Sequence, residues 1–181
     1  MSLFFYLEEK WERICSFIVK KLNQLACSCE MEPARLANKI ICAALDSPNF
    51  IHSIQKLYNA EGDLWVMAEW QPDQKIIVYR PGRPSYDIRR VPPIKNDAYL
   101  NFRRDQRISV SFTNEQDKKL NLLARSCKLK KAELAALLMH FGLDSSEIIL
   151  QLQERYNIHK HFWVTPCSED GIVRYIRISS R

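Results

Sequence analysis

The chain has 181 residues, is 46% apolar and 27% charged, and holds only four glycines, which excludes a disordered tail or a low-complexity segment. Its net charge of +6 favours a polyanionic partner, nucleic acid or an anionic surface. The apolar start is cut short by Glu8, Glu9 and Lys10. With no basic leader and no small-residue cleavage site it does not read as a signal peptide, and no stretch approaches the roughly 18 apolar residues of a membrane span.

Residues 8–26 read as a helix, because Trp11, Ile14, Cys15, Ile18, Leu22 and Leu25 recur at three- and four-residue steps and make one apolar stripe. A second helix begins near Pro33, which suits a first turn that needs no N–H donor. Asp46-Ser47-Pro48 stops it and starts a shorter helix over 49–58. Two strands follow, residues 63–70 and 75–80, rich in Val, Ile, Trp and Tyr, with Gln71-Pro72-Asp73-Gln74 as the hairpin turn.

The same plan then returns. Shifted by 98 residues, Lys20–Asn23 falls on Lys118–Asn121, Leu45-Asp46-Ser47 on Leu143-Asp144-Ser145, and Gln55, Tyr58, Asn59, Trp65 and Val66 on Gln153, Tyr156, Asn157, Trp163 and Val164. Roughly 20 identities fall between residues 20 and 66, where ordinary composition gives about three. The second copy has helices over 114–126, 130–141 and 146–156 and strands over 160–166 and 172–178. A one-residue deletion in its turn aligns Asp73, Ile76, Val78 and Arg80 with Asp170, Val173, Tyr175 and Arg177. The expected fold class is therefore α+β: two tandem copies of a two- or three-helix unit with a β-hairpin. Residues 1–80 form a degenerate first repeat and 106–181 the second. Residues 81–105 form a linker with Pro81, Pro84, Pro92 and Pro93 and the basic Arg83, Arg89, Arg90, Lys95, Arg103 and Arg104. It is either a solvated connection or a basic arm along phosphates.

The segment Arg107–Thr113, RISVSFT, alternates strictly. Ile108, Val110 and Phe112 lie on one face and Arg107, Ser109 and Ser111 on the other. Thr113 is placed to cap the next helix, with Gln116 as its capping-box partner. Leu120, Leu123 and Ala124 carry the stripe of that helix, Cys127-Lys128-Leu129 breaks it, and Leu134, Leu137, Leu138 and Phe141 continue on a second helix with Gly142 as its C′ residue.

A polar-faced strand, a helix, a tight turn, a second helix and Gly-Leu resemble the ribbon-helix-helix family of DNA-binding proteins, the Arc and MetJ type. The resemblance covers residues 107–143 and rests on residue classes. It implies that two such strands pair antiparallel and enter the major groove of double-stranded DNA. Arg107, Ser109 and Ser111 would then meet base edges. Thr113, Lys128, Lys130, Lys131, Arg103 and Arg104 would contact phosphates, the lysines beside the start of the second helix. One such strand cannot complete a ribbon, so a homodimer is expected. The first copy departs from the pattern: residues 9–15 look helical, only residues 2–7 remain as a strand candidate, and Lys128, Lys130 and Lys131 become Glu30, Glu32 and Pro33. It is expected to have lost the ribbon and to serve as scaffold or to hold a protein partner.

No P-loop, dinucleotide fingerprint, HExxH or GxSxG occurs, so no enzyme, cofactor or metal is expected. Cys15, Cys27, Cys29, Cys42, Cys127 and Cys167 lack zinc spacing and read as reduced thiols of a cytoplasmic protein. Cys27 with Cys29, and His159 with His161, are the only close pairs of metal-ligand type. The leading expectation is a sequence-specific DNA-binding repressor or accessory factor. The alternatives are an adaptor or antitoxin-like module that holds a protein partner, and an RNA or single-strand binder that stacks bases on hairpin aromatics such as Trp65 and Trp163.

Overall fold

The computed structural model describes residues 2–5, 12–59, 64–74, 76–82, 106–158, 162–169 and 172–178. The fold is α+β. The first repeat contains β1 (Ser2–Phe5), α1 (Glu12–Ser28), α2 (Pro33–Leu45), α3 (Pro48–Tyr58) and a hairpin of β2 (Trp65–Gln71) and β3 (Ile76–Gly82). The second contains β4 (Gln106–Ser109), α4 (Asn114–Ser126), α5 (Lys131–Asp144), α6 (Ser146–Tyr156) and a hairpin of β5 (Trp163–Glu169) and β6 (Ile172–Ile178). Among the described residues, no helix is long and apolar enough to cross a membrane.

Local chemistry sets the same punctuation in both repeats. Ser47 and Ser145 cap α3 and α6, each accepting from a backbone N–H three residues on, at 3.4 Å. The break between the first two helices of each repeat falls on a residue with positive φ, Glu30 at 44° and Lys128 at 53°. The following N–H then reaches back to close the helix, Met31 to Ala26 and Leu129 to Ala124, both at 2.9 Å. Helix ends of this kind usually place glycine there. Here two non-glycine residues adopt the same left-handed backbone, 98 positions apart.

The two repeats share one core. Helix α5 is apolar on nearly all sides and its residues Leu134–Met139 are all buried, as expected of a helix packed from every direction. It crosses α2, whose Leu36, Ala37, Ile40 and Ile41 are fully buried. Each such large side chain contributes about 1.5–3 kcal/mol relative to exposure. Gly142 sits inside α5 rather than at the C′ position expected from the sequence. A Cβ there would lie 2.5 Å from Ile40 Cγ2, so the missing side chain lets the two central helices approach, and Ser145 takes the cap instead.

The repeats are related by an approximate two-fold axis, and the contacts across it are reciprocal. Lys119 of the second repeat pairs with Asp46 of the first at 2.8 Å, and Lys21 of the first pairs with Asp144 of the second. These are the same two positions, exchanged, which is the mark of an isologous interface. The hairpins also reach across the axis. Tyr79 lies over Lys119 at 5.8 Å and Tyr175 over Lys21 at 6.0 Å. Each tyrosine hydroxyl donates to a helix carbonyl of its own repeat, Leu45 or Leu143, at 2.7 Å.

A buried glutamine joins each hairpin to its helix. The Gln55 amide donates to the Val66 carbonyl at 2.8 Å and accepts from its N–H at 2.7 Å. Gln153 does the same to Val164 at 2.7 and 2.8 Å. Asn59 and Asn157 add a bond to the carbonyls of Leu64 and Phe162. The hairpin registers correct the alignment of the last strand. Trp65 opposes Gly82, whereas Trp163 opposes Ile178, so the second turn is two residues shorter, not one. Tyr79 is thus the equivalent of Tyr175. Side chains alternate with period two along a strand, so a one-residue deletion would have turned the tyrosine away from the helices.

Candidate nucleic-acid interface

Strand β1 pairs antiparallel with β4, in the register Ser2–Ser109, Leu3–Ile108, Phe4–Arg107 and Phe5–Gln106. A strand therefore precedes the helices of both repeats, and residues 2–5 supply the one that the first repeat was expected to lack. One chain thus provides both strands of this ladder. By the 98-residue alignment α1 begins four residues earlier than α4, at Glu12 against Asn114; residues 9–11 of the helical stretch expected over 9–15 lie outside the described residues.

Burial follows the alternation beyond the paired residues. Val110 is buried, and Ile108 and Phe112 are half-buried and packed on the shared core. Ser109, Ser111 and Thr113 are exposed. The described ladder ends at Ser109, and among the described residues Val110–Thr113 has no strand partner. Asn38 of α2 holds this extension, its amide donating to the Ser111 carbonyl at 2.6 Å. Arg107 lies in β4 opposite Phe4; its side chain lies outside the described residues, as do Arg103 and Arg104 altogether.

Thr113 forms the capping box. Its hydroxyl accepts from the Gln116 N–H at 3.3 Å, and the Gln116 side chain accepts from the Thr113 N–H at 2.9 Å. The three lysines gather at the turn into α5. Lys128 is exposed, Lys130 occupies the N-cap position with its side chain 86% exposed, and Lys131 donates to Asp117 at 2.8 Å. That hydrogen bond is the main reason the Asp117 carboxyl is held below the usual carboxylate range. Glu133 lies 3.8 Å from Lys130 Nζ and accepts from the Lys130 N–H at 2.9 Å. The lysines thus extend around a helix start, where the N–H groups of a first turn have no intrahelical acceptor.

The remaining residues of interest fall elsewhere. Trp65 is 1% exposed, so its ring is not available to stack on a base. Trp163 is half-buried, and the exposed hairpin aromatic is Trp70. Cys29 and Cys127 are buried, and burial pushes the Cys127 thiol up to about 12, the state of an inert core thiol. Cys27 is exposed. His159 and His161 lie outside the described residues, and among those described no three metal-ligand side chains converge. Three features had no signature in the sequence on its own: the pairing of 2–5 with 106–109, the Asn38 bond and the crossed Lys–Asp pairs.

No protein-family model matches the chain, and neither a curated protein nor a solved structure resembles it closely enough to suggest a family.

Proposed function

We propose that this protein binds double-stranded DNA as a single-chain counterpart of a ribbon-helix-helix dimer, a transcriptional repressor or DNA accessory factor acting without catalysis. The observation that carries the reading is the β1–β4 ladder. Two antiparallel strands, one ahead of the helices of each repeat, pair beside a shared helical core, and along the segment that begins with β4 Ile108, Val110 and Phe112 turn inward while Ser109 and Ser111 are exposed. A two-stranded ribbon fits the major groove. In this reading Arg107, Ser109 and Ser111 read bases. Thr113 and the lysines at 128, 130 and 131 hold phosphates, and Arg103 and Arg104 add charge from the linker. Both ribbon strands come from one chain, so the smallest active species is a monomer.

The acidic turn of the first repeat adds an asymmetry. Glu30 and Glu32 occupy the positions of Lys128 and Lys130 on the same backbone. That turn repels phosphate, and it supports a second reading in which the first repeat holds a basic protein partner.

The test is an electrophoretic shift with a randomised duplex pool, run across a salt series and followed by selection. The expected result is a retarded complex at low salt and an enriched sequence. Arg107→Ala should weaken binding to the selected site by about 1–3 kcal/mol while leaving weak non-specific binding in place. Absence of any complex at low salt would sink the reading, because phosphate contacts alone should appear there.

A further inference from the structure

The approximate two-fold axis generates two equivalent grooves, each between helices of the two repeats. One, of about 250 Å³, is apolar, walled by Phe50, Ile54, Leu57 and Phe141. The other, of about 480 Å³, lies between α2 and α6 and falls in the size range of small-molecule sites. Its floor is Ala43, Ile148 and Leu152, but its two ends are charged and opposite in sign.

At one end, Lys39 Nζ lies 5.6 Å from the centre of the Tyr156 ring and Arg155 Cζ lies 5.5 Å from the same centre. Among the described residues neither cation forms an ion pair. The corresponding positions of the apolar groove are Leu137 and Leu57. Both cations therefore lie on one side of the axis, although they belong to different repeats. At the other end lie Asp46 of α2 and Glu147 of α6. Helical rise puts Asp46 about 10 Å along α2 from Lys39, and Glu147 about 12 Å along α6 from Arg155. Lys119 offsets this end only in part, because it pairs with both Asp46 at 2.8 Å and Glu115 at 3.4 Å. The groove is thus a trough with two cations at one end, surplus carboxylate at the other and an apolar floor between them.

We propose that this groove binds a short, extended zwitterionic peptide, its carboxylate at Lys39 and Arg155 and its ammonium group at Glu147 and Asp46. Three residues span about 10 Å when extended, which matches the separation of the charged ends. Small aliphatic side chains suit the floor. The inference is independent of the DNA reading.

The experiment titrates trialanine into the full chain and follows heat and backbone amide shifts, alongside trialanine that is N-acetylated, C-amidated or both. Saturable binding is expected with the free peptide, weakened about tenfold by either cap, as loss of one charge-assisted contact implies. Lys39→Ala with Arg155→Ala should make the free and amidated peptides bind alike, and Glu147→Gln should do the same for the acetyl cap. Equal binding of the free and doubly capped peptides to the unaltered protein would overturn the proposal, as would no saturable binding at low millimolar peptide. Both outcomes are read on the unaltered chain, so a variant that fails to fold does not blur the result.

Discussion

The two repeats have one architecture and two surfaces. Their buried polar positions have stayed the same: Gln55 and Gln153 clamp the same backbone groups, and Tyr79 and Tyr175 reach the same carbonyl. Their exposed positions have diverged to opposite charge, Glu30 and Glu32 against Lys128 and Lys130. The difference follows from where the energetic penalty lies. A buried amide must find its partners or lose their full desolvation energy, while an exposed charge can change sign at little cost to stability. Identity between the repeats therefore marks the scaffold, and divergence marks the surfaces open to function.

That comparison can be broken most severely at the glutamine clamps. Gln55→Leu leaves the buried Val66 N–H and carbonyl unpaired, and Gln153→Leu does so for Val164. Each should cost about 2–6 kcal/mol, one to three per orphaned group, measured by denaturant unfolding. Equal losses are expected, and a large inequality would show that the repeats do not share one stability.

A smaller and deliberately unequal effect is expected at the crossed ion pairs. Lys21 is 5% exposed and Asp144 25%, whereas Asp46 is 55% exposed. Lys21→Met should cost about 1–3 kcal/mol, because it strips a partner from a largely buried carboxylate. Lys119→Met should cost about 0–1 kcal/mol. Similar losses would mean that burial does not distinguish the two sides.

The charge difference at the turns is tested on the proposed DNA activity. Glu30→Lys with Glu32→Lys gives the first repeat two of the second repeat's three turn lysines. Binding should tighten, and the slope of log affinity against log salt should steepen by up to about two. An unchanged slope would show that this turn does not approach the phosphates.

The smallest effect is on pH dependence. His140 and Cys42 are equivalent positions that titrate on opposite sides of neutrality. Burial holds the His140 imidazole below its usual value against the pull of Asp144, with Lys21 lowering it further. The unfolded chain therefore takes up that proton first as pH falls past about 6.5, and stability declines from there until the folded imidazole is protonated too. Burial raises the Cys42 thiol to about 11, with Asp46 raising it and Lys39 and Lys119 lowering it. The unfolded thiol ionises first, so stability declines as pH rises past its ordinary value of 9.0. His140→Gln should flatten the acid limb of an unfolding curve and leave the alkaline limb in place; an unchanged acid limb would remove His140 from the account.

What could be read from the residues alone was whatever repeats or alternates locally. The 98-residue echo, the helices at three- and four-residue steps, the Thr113–Gln116 box and the inward and outward faces from Ile108 to Phe112 all rest on interactions a few residues long. The tertiary structure decided what depends on distant segments. It paired residues 2–5 with 106–109, made Gly142 a contact with Ile40 instead of a cap, and crossed Lys21 and Lys119 to the other repeat's aspartates. It also set the hairpin difference at two residues, which keeps each tyrosine on the helix side. A strand of four residues has too short a pattern to announce its partner, and the partner's distance along the chain is invisible to any local period. The duplication supplied two nearly equal halves, and only their packing across a two-fold axis made residues 2–5 the strand partner of β4.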